Sequence, residues 1–142
     1  METQLIGRPV LVVEDNPLDA DLTMRALRPR LGTNPVYLAR DGEAALAWLA
    51  RWEAGEPRPL VVLLDLNLPR VNGIEVLKAY RAHPAGRPIP VVVLTSSSQE
   101  SDADEAYRAG ANSFVVKPVQ AEAFVDVAAH IEHYWCKLNR AI

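Results

Sequence analysis

Short apolar runs alternate with longer amphipathic stretches along the whole chain. The runs are Val10–Val13, Val36–Ala39, 60–64, 91–94 and Ser113–Val116. Three of them are almost unbroken Val and Leu, the composition of strands buried on both faces of a parallel sheet. The run at 36–39 is less apolar, which suits a sheet edge.

The intervening stretches carry helical periodicity and recognisable ends. Asn16-Pro17 reads as an N-cap followed by proline at the first helical position, opening a helix predicted to run to about Leu27. Asp41 or Gly42 opens a second, with Ala45, Leu46, Leu49 and Trp52 on its apolar stripe. Asn72-Gly73 precedes a third, striped by Ile74, Val76, Leu77 and Tyr80, and a fourth near 101–109 closes at Gly110. The last begins near Gln120, and Phe124, Val127, Ala128, Ile131, Trp135 and Leu138 keep the 3.6-residue period to about Asn139. Five β-α units in alternation predict an α/β, doubly wound five-stranded parallel sheet with right-handed crossovers.

Composition narrows the class. A length of 142 residues with 49% hydrophobic residues suits one domain with a sizeable core. No apolar run approaches the length of a membrane span, and the first residues lack the pattern of a secretion signal. Cys136 is the sole cysteine, which excludes an internal disulfide and fits a reducing, cytoplasmic setting. A net charge of −3 with no Lys/Arg cluster gives no reason to expect nucleic-acid or membrane partners. One helix follows the fifth run. The expectation is therefore a single domain over 1–142, with a core of about 9–133, a helical extension at about 134–142 and no attached output domain.

The chemistry lies in the strand ends. Ligands of open α/β sheets bind beyond the carboxyl ends of the strands. There the sequence places Glu14-Asp15 after the first run, Asp65 after the third, Thr95-Ser96 after the fourth and Lys117 after the fifth. With the strands in order 2-1-3-4-5, these side chains converge on one crevice. Three crowded carboxylates call for a cation, and Mg²⁺ suits carboxylates, waters and a phosphate oxygen. Asp65 is then a candidate nucleophile forming an aspartyl phosphate. Lys117 supplies a compact positive charge and Thr95 a hydroxyl for the phosphoryl oxygens, and backbone N–H groups after Asp65 and Thr95 can cradle the rest. Taken singly, each residue has an ordinary explanation as a cap, a turn residue or a solvated charge. Four strand ends agreeing on one chemistry argue against that.

The segments VLVVEDNPLDADL, VVLLDLNLPRVNGIEVL, IPVVVLTSSS and SFVVKPV resemble the receiver domains of two-component response regulators, over the chain from about Val10 to the final helix. The resemblance implies the flavodoxin-like receiver fold with an extended C-terminal helix. It implies Glu14 and Asp15 as the acidic metal pair, Asp65 as phosphoacceptor and the backbone carbonyl of Asn67 as a further metal ligand. Thr95 is implied as the hydroxyl switch, Lys117 as the lysine pairing with the phosphoryl group and Phe114 as the switch aromatic. It also implies a cis Lys117–Pro118 peptide. Asn67 and Ser97, two residues past Asp65 and Thr95, flank the path of an attacking water and are expected to tune phosphoryl lifetime. The phrases DLNLPRVNG, RPIPVVVLTSSSQESD and HIEHYWCKLN are similar to single-domain regulators paired with phytochromes, which implies a phytochrome-type histidine kinase as donor.

The last helix exceeds what covering a sheet requires. Tyr134 and Trp135 are therefore expected either at a homodimer interface, with the fourth and fifth helices and the fifth strand, or folded back against Leu5 and Ile6. Two enzymatic or ligand-binding classes fit less well. A phosphohydrolase working through an aspartyl phosphate needs an acid two residues after its nucleophile, where this chain has Asn67. A flavin-binding protein needs a Gly/Ser/Thr-rich loop where this chain has Glu14-Asp15-Asn16-Pro17. A pseudo-receiver, binding partners without phosphorylation, usually lacks a pocket residue that is present here. The expected role is a phosphoacceptor signalling protein that catalyses only its own phosphorylation and dephosphorylation.

Overall fold

The computed structural model describes residues 7–142. Five parallel strands form one sheet in the order β2-β1-β3-β4-β5. They are β1 (Val10–Val13), β2 (Val36–Ala39), β3 (Val61–Leu64), β4 (Val91–Thr95) and β5 (Ser113–Val116). The helices between and after them are α1 (Pro17–Leu31), α2 (Gly42–Glu53), α3 (Gly73–Ala82), α4 (Glu100–Ala109) and α5 (Ala121–Ile131). The predicted topology is thus the observed one, and the least apolar of the runs predicted as strands, β2, is indeed an edge.

Alternation along the strands divides the core in two. Leu11, Val13, Val62 and Leu64 face α2 and α3, where Trp48, Trp52 and Tyr80 fill the space. Val10, Val12, Val61 and Leu63 face the opposite layer, against Met24 and Leu27 of α1 and Ala128 and Ile131 of α5. β1, β3 and β4 are buried on both faces, so their side chains must be apolar throughout.

Three of the helix starts use a side-chain cap. Asn16 accepts the N–H groups of Leu18 and Asp19, Asp41 accepts that of Ala44, and Asn72 forms a capping box with Glu75. α1 passes the expected end at Leu27 and reaches Leu31, with Pro29 inside it. Leu27 and Leu31 stand four residues apart on one face, both buried in the core. That burial outweighs the local stop signal, and the helix closes at Gly32, whose φ is 58°.

The long final helix is not uniform. After Ile131 it widens into a π-helix over Glu132–Leu138. The two aromatics expected to act together differ in exposure: Trp135 packs partly against the α1/α5 core, whereas Tyr134 is half exposed and lies edge-on to it at 4.8 Å. Leu5 and Ile6, the alternative packing partners for this pair, lie outside the described residues.

Candidate functional site

Glu14, Asp65 and Lys117 each stand just past a strand's carboxyl end, held by the continuation of the sheet ladder, and Thr95 is the last residue of β4. The Glu14 N–H donates to Ala39 O at 3.0 Å, Asp65 N–H to Val13 O at 3.1 Å and Lys117 N–H to Thr95 O at 2.7 Å. Four buried polar side chains follow from this placement: Glu14, Asp65, Thr95 and Lys117. Asp15, one residue on, is exposed. Gly73 makes room beneath the site, since a Cβ there would lie 2.4 Å from the Asp65 carbonyl oxygen and 2.6 Å from Leu66 Cα.

Lys117 organises the centre. Its ammonium has three N–H donors, and they meet Glu14 Oε1 at 2.5 Å, Asp19 Oδ2 at 2.9 Å and Asp65 Oδ2 at 3.0 Å. Burial opposes its charge, but the carboxylates of Glu14, Asp19 and Asp65 outweigh that and raise its pKa above the ordinary lysine value. Glu14 responds the other way. Burial first, and then the adjacent Asp65 carboxyl, push it up to about 7 against the pull of Lys117. Asp65 Oδ1 accepts the Asn67 N–H at 3.2 Å, a backbone donor of the kind expected after Asp65.

Carboxylate oxygens of Glu14, Asp15 and Asp65 lie within 4.8 Å of one another. This is a set of hard oxygen donors with an open side at Asp15, and it fits a hard divalent cation. The Thr95 side chain is wholly buried, and its Oγ1 has no hydrogen-bond partner. A buried hydroxyl without a partner costs about 1–3 kcal/mol, so this group is poised for an acceptor arriving at the site.

The flanking residues are more varied. Asn67 is exposed beside Asp65. The Ser97 hydroxyl is engaged, donating to Asp102 Oδ2 at the start of α4. Phe114 is half-buried and packs against Leu66, Val93 and Ala106, while its backbone N–H donates to the Tyr107 hydroxyl at 3.1 Å. The expected cis Lys117–Pro118 peptide is not found, since no peptide bond among the described residues is cis. The trans isomer is the one an X–Pro bond favours intrinsically, by about 0.5–1 kcal/mol, and Lys117 reaches all three carboxylates from it.

Asp19 and Asp102 were not anticipated as neighbours of the site. Asp19 occupies the first turn of α1, where an acid has an ordinary role in the helix dipole. The only local sign of more was its position four residues after Asp15.

The chain is similar to known proteins over most of its length. The regulator Rcp1 of Synechocystis is 36% identical over 128 residues, 89% of this chain and 87% of that protein. A probable methanogenesis regulatory protein, FilR2 of Methanothrix harundinacea, is 43% identical over 134 residues, 93% and 86% of the two chains. Among solved structures, the phosphorylated cyanobacterial phytochrome response regulator RcpA superposes with a TM-score of 0.87 at 33% identity, covering 94% of this chain and 97% of that one. The Mn²⁺-bound form of Rcp1 gives 0.85 at 33% identity, with 95% and 99% covered. Residues 10–129 match the response regulator receiver domain, and the chain belongs to that family.

Proposed function

We propose that this chain is a phosphorylation switch that accepts a phosphoryl group on Asp65 from a histidine kinase. The observation that carries the reading is the pairing, in one buried pocket, of Lys117 Nζ with Asp65 Oδ2 at 3.0 Å beside the unpartnered hydroxyl of Thr95. One oxygen of Asp65 bonds to phosphorus as the P–N bond of the donor phosphohistidine breaks and the imidazole leaves with a proton. Lys117 and Thr95 then take phosphoryl oxygens as charge-assisted and hydroxyl hydrogen-bond donors. Glu14, Asp15, Asp65 and the Asn67 backbone carbonyl are the proposed Mg²⁺ ligands; the ion, when bound, neutralises charge that develops on the phosphoryl oxygens.

The new group brings about −1.5 to −2 charge and three acceptor oxygens. Thr95 turns toward it and vacates space, Phe114 turns inward, and the surface of α4, β5 and α5 changes with them. Asn67 and Ser97 tune how long the phosphoryl group lasts. The likeness to RcpA and Rcp1 supports a phytochrome-type photoreceptor kinase as donor. Exposed Val116, Val119, Val125, Tyr134 and Leu138 lie on or near β5, α5 and the π-helix, and support a homodimer through that face. The protein turns over no metabolite and acts in the cytoplasm; no described helix is long and apolar enough to cross a membrane.

The test is transfer of labelled phosphate from candidate histidine kinases, comparing the wild type with Asp65→Asn. Mg²⁺-dependent, hydroxylamine-sensitive label is expected on the wild type alone. Label persisting on the variant refutes the phosphoacceptor assignment. Transfer that depends on red or far-red light identifies the donor class, and light scattering that finds only monomer at high concentration removes the dimer.

A further inference from the structure

The three acceptors around Lys117 have different futures in the proposed reaction. Glu14 belongs to the carboxylate group that suits a cation, and Asp65 becomes the phosphorylated oxygen. Asp19 belongs to neither role, yet its Oδ2 lies 2.9 Å from Lys117 Nζ, a bond that joins residues 98 apart in sequence. We propose that Asp19 is a positioning residue for Lys117, keeping its ammonium at the phosphoryl site while Glu14 and Asp65 are drawn into the chemistry. This rests on Asp65 being the phosphoacceptor.

The local structure gives Asp19 the rigidity this role needs. Its N–H is held by the Asn16 side chain at 3.1 Å, and its carbonyl oxygen accepts the Thr23 hydroxyl at 2.8 Å. The backbone is thereby fixed in the first turn of α1, and the carboxylate has a short reach to its target. An acid placed only for the helix dipole would keep its carboxylate in water. This one is 30% exposed, and its partner is a lysine side chain that is 6% exposed. An ammonium on a four-carbon stem is a mobile point charge, so a third anchor outside the reacting groups fixes it where two reacting anchors cannot. The same bond ties the end of β5 to the start of α1, so any change in the grip of Lys117 is passed to that helix.

The experiment follows phosphorylation by acetyl phosphate at saturating Mg²⁺ in the full chain, for the wild type, Asp65→Asn, Asp19→Ala, Asp19→Asn and Asp19→Glu. Asp19→Ala is expected to lower the maximal rate about tenfold with little change in the half-saturating donor concentration. Asp19→Asn, which keeps the shape and an acceptor but not the charge, is expected to lower it about threefold, and Asp19→Glu to recover part of the loss. Without metal or donor, nuclear magnetic resonance of the Lys117 ammonium should show faster proton exchange with water in Asp19→Ala. Should wild type and both Asp19→Ala and Asp19→Asn label within about twofold of one another, while Asp65→Asn takes none, the role of Asp19 is overturned and the phosphoacceptor reading stands. A wild type that takes no label overturns both.

Discussion

The two ends of the sheet handle buried polar groups in opposite ways. At the amino end, Arg81 reaches from α3 into the loops that precede β4 and β5. Its guanidinium donates to the carbonyls of Gly110 at 2.9 Å and Ile89 at 2.8 Å, to two further carbonyls and to the Asn112 side chain at 2.9 Å. Asn112 Oδ1 in turn accepts the Val91 N–H at 2.8 Å. Donors and acceptors match, and burial merely lowers the arginine's pKa. At the carboxyl end, Glu14, Asp19 and Asp65 share one lysine, and Thr95 holds a hydroxyl with no partner. The amino end has an orphan too, the indole N–H of Trp52, but it stacks on Trp48 and lies edge-on to Tyr80 and is not part of the carboxylate cluster. A satisfied network holds loops in place; an unsatisfied, overcharged one is kept for something that binds.

Breaking the satisfied end should have the largest effect on stability. Arg81→Ala removes the donor shared by several loop carbonyls and one of the two donors to Asn112 Oδ1, and the expected loss is about 3 kcal/mol in urea unfolding. A loss below about 1 kcal/mol would mean water replaces the guanidinium and the matching is cosmetic. Gly110 belongs to the same network: its φ is 111° and a Cβ would meet Arg81 Cγ at 2.7 Å. Next in size is Gly73→Ala at the other end. The added methyl meets backbone of Asp65 and Leu66, which cannot rotate away, so about 1–3 kcal/mol of overpacking is expected. Unlike the arginine change, it should also slow phosphorylation, because Asp65 itself is displaced. Unchanged labelling with lowered stability would separate the glycine from the site.

Much of this contrast is visible in the sequence, but unevenly. Asn16, Asp41 and Asn72 announce their helices because capping is local chemistry between neighbours in the chain. The strand ends gather Glu14, Asp65, Thr95 and Lys117 because topology alone brings them together. The end of α1 was not legible: Pro29 is a local signal, and the burial of Leu31 that overrides it is tertiary. The π-helix is likewise not announced by any residue type in Glu132–Leu138. Asp19 looked like an ordinary first-turn acid, since its partner stands 98 residues away. Arg81 gave no sign at all, because its acceptors are backbone carbonyls that a sequence does not mark.

Thr95→Val sharpens the comparison with a smaller effect of opposite sign. The change removes a buried hydroxyl that has no partner and keeps the shape of the side chain. Stability is expected to rise by up to about 1 kcal/mol, while phosphorylation continues and the change at α4, β5 and α5 is lost. Differential scanning calorimetry reads the first, and fluorine labelling near Phe114 with and without phosphorylation reads the second. A fall in stability would show that the Thr95 hydroxyl is satisfied by water, and the contrast between the two ends would weaken.

The smallest effect concerns Cys136, a thiol buried near the amino end against the α1/α5 core. Burial, and then the neighbouring Glu132 carboxylate, push its pKa from 9.0 up to about 11, with Lys137 pulling the other way. Well below pH 9 the thiol is neutral in both the folded and the unfolded chain, and it favours neither. As the pH rises through the window, the unfolded chain releases its proton first, so the folded state holds more protons and stability falls. The advantage of the wild type over Cys136→Ala should therefore shrink between about pH 9 and about pH 11. Alkylation of the native thiol near neutral pH should also be far slower than in denaturant, since the thiolate is the reactive form. A stability difference that stays flat across that window would show that water reaches Cys136, and that the π-helix covers the core less tightly than its packing implies.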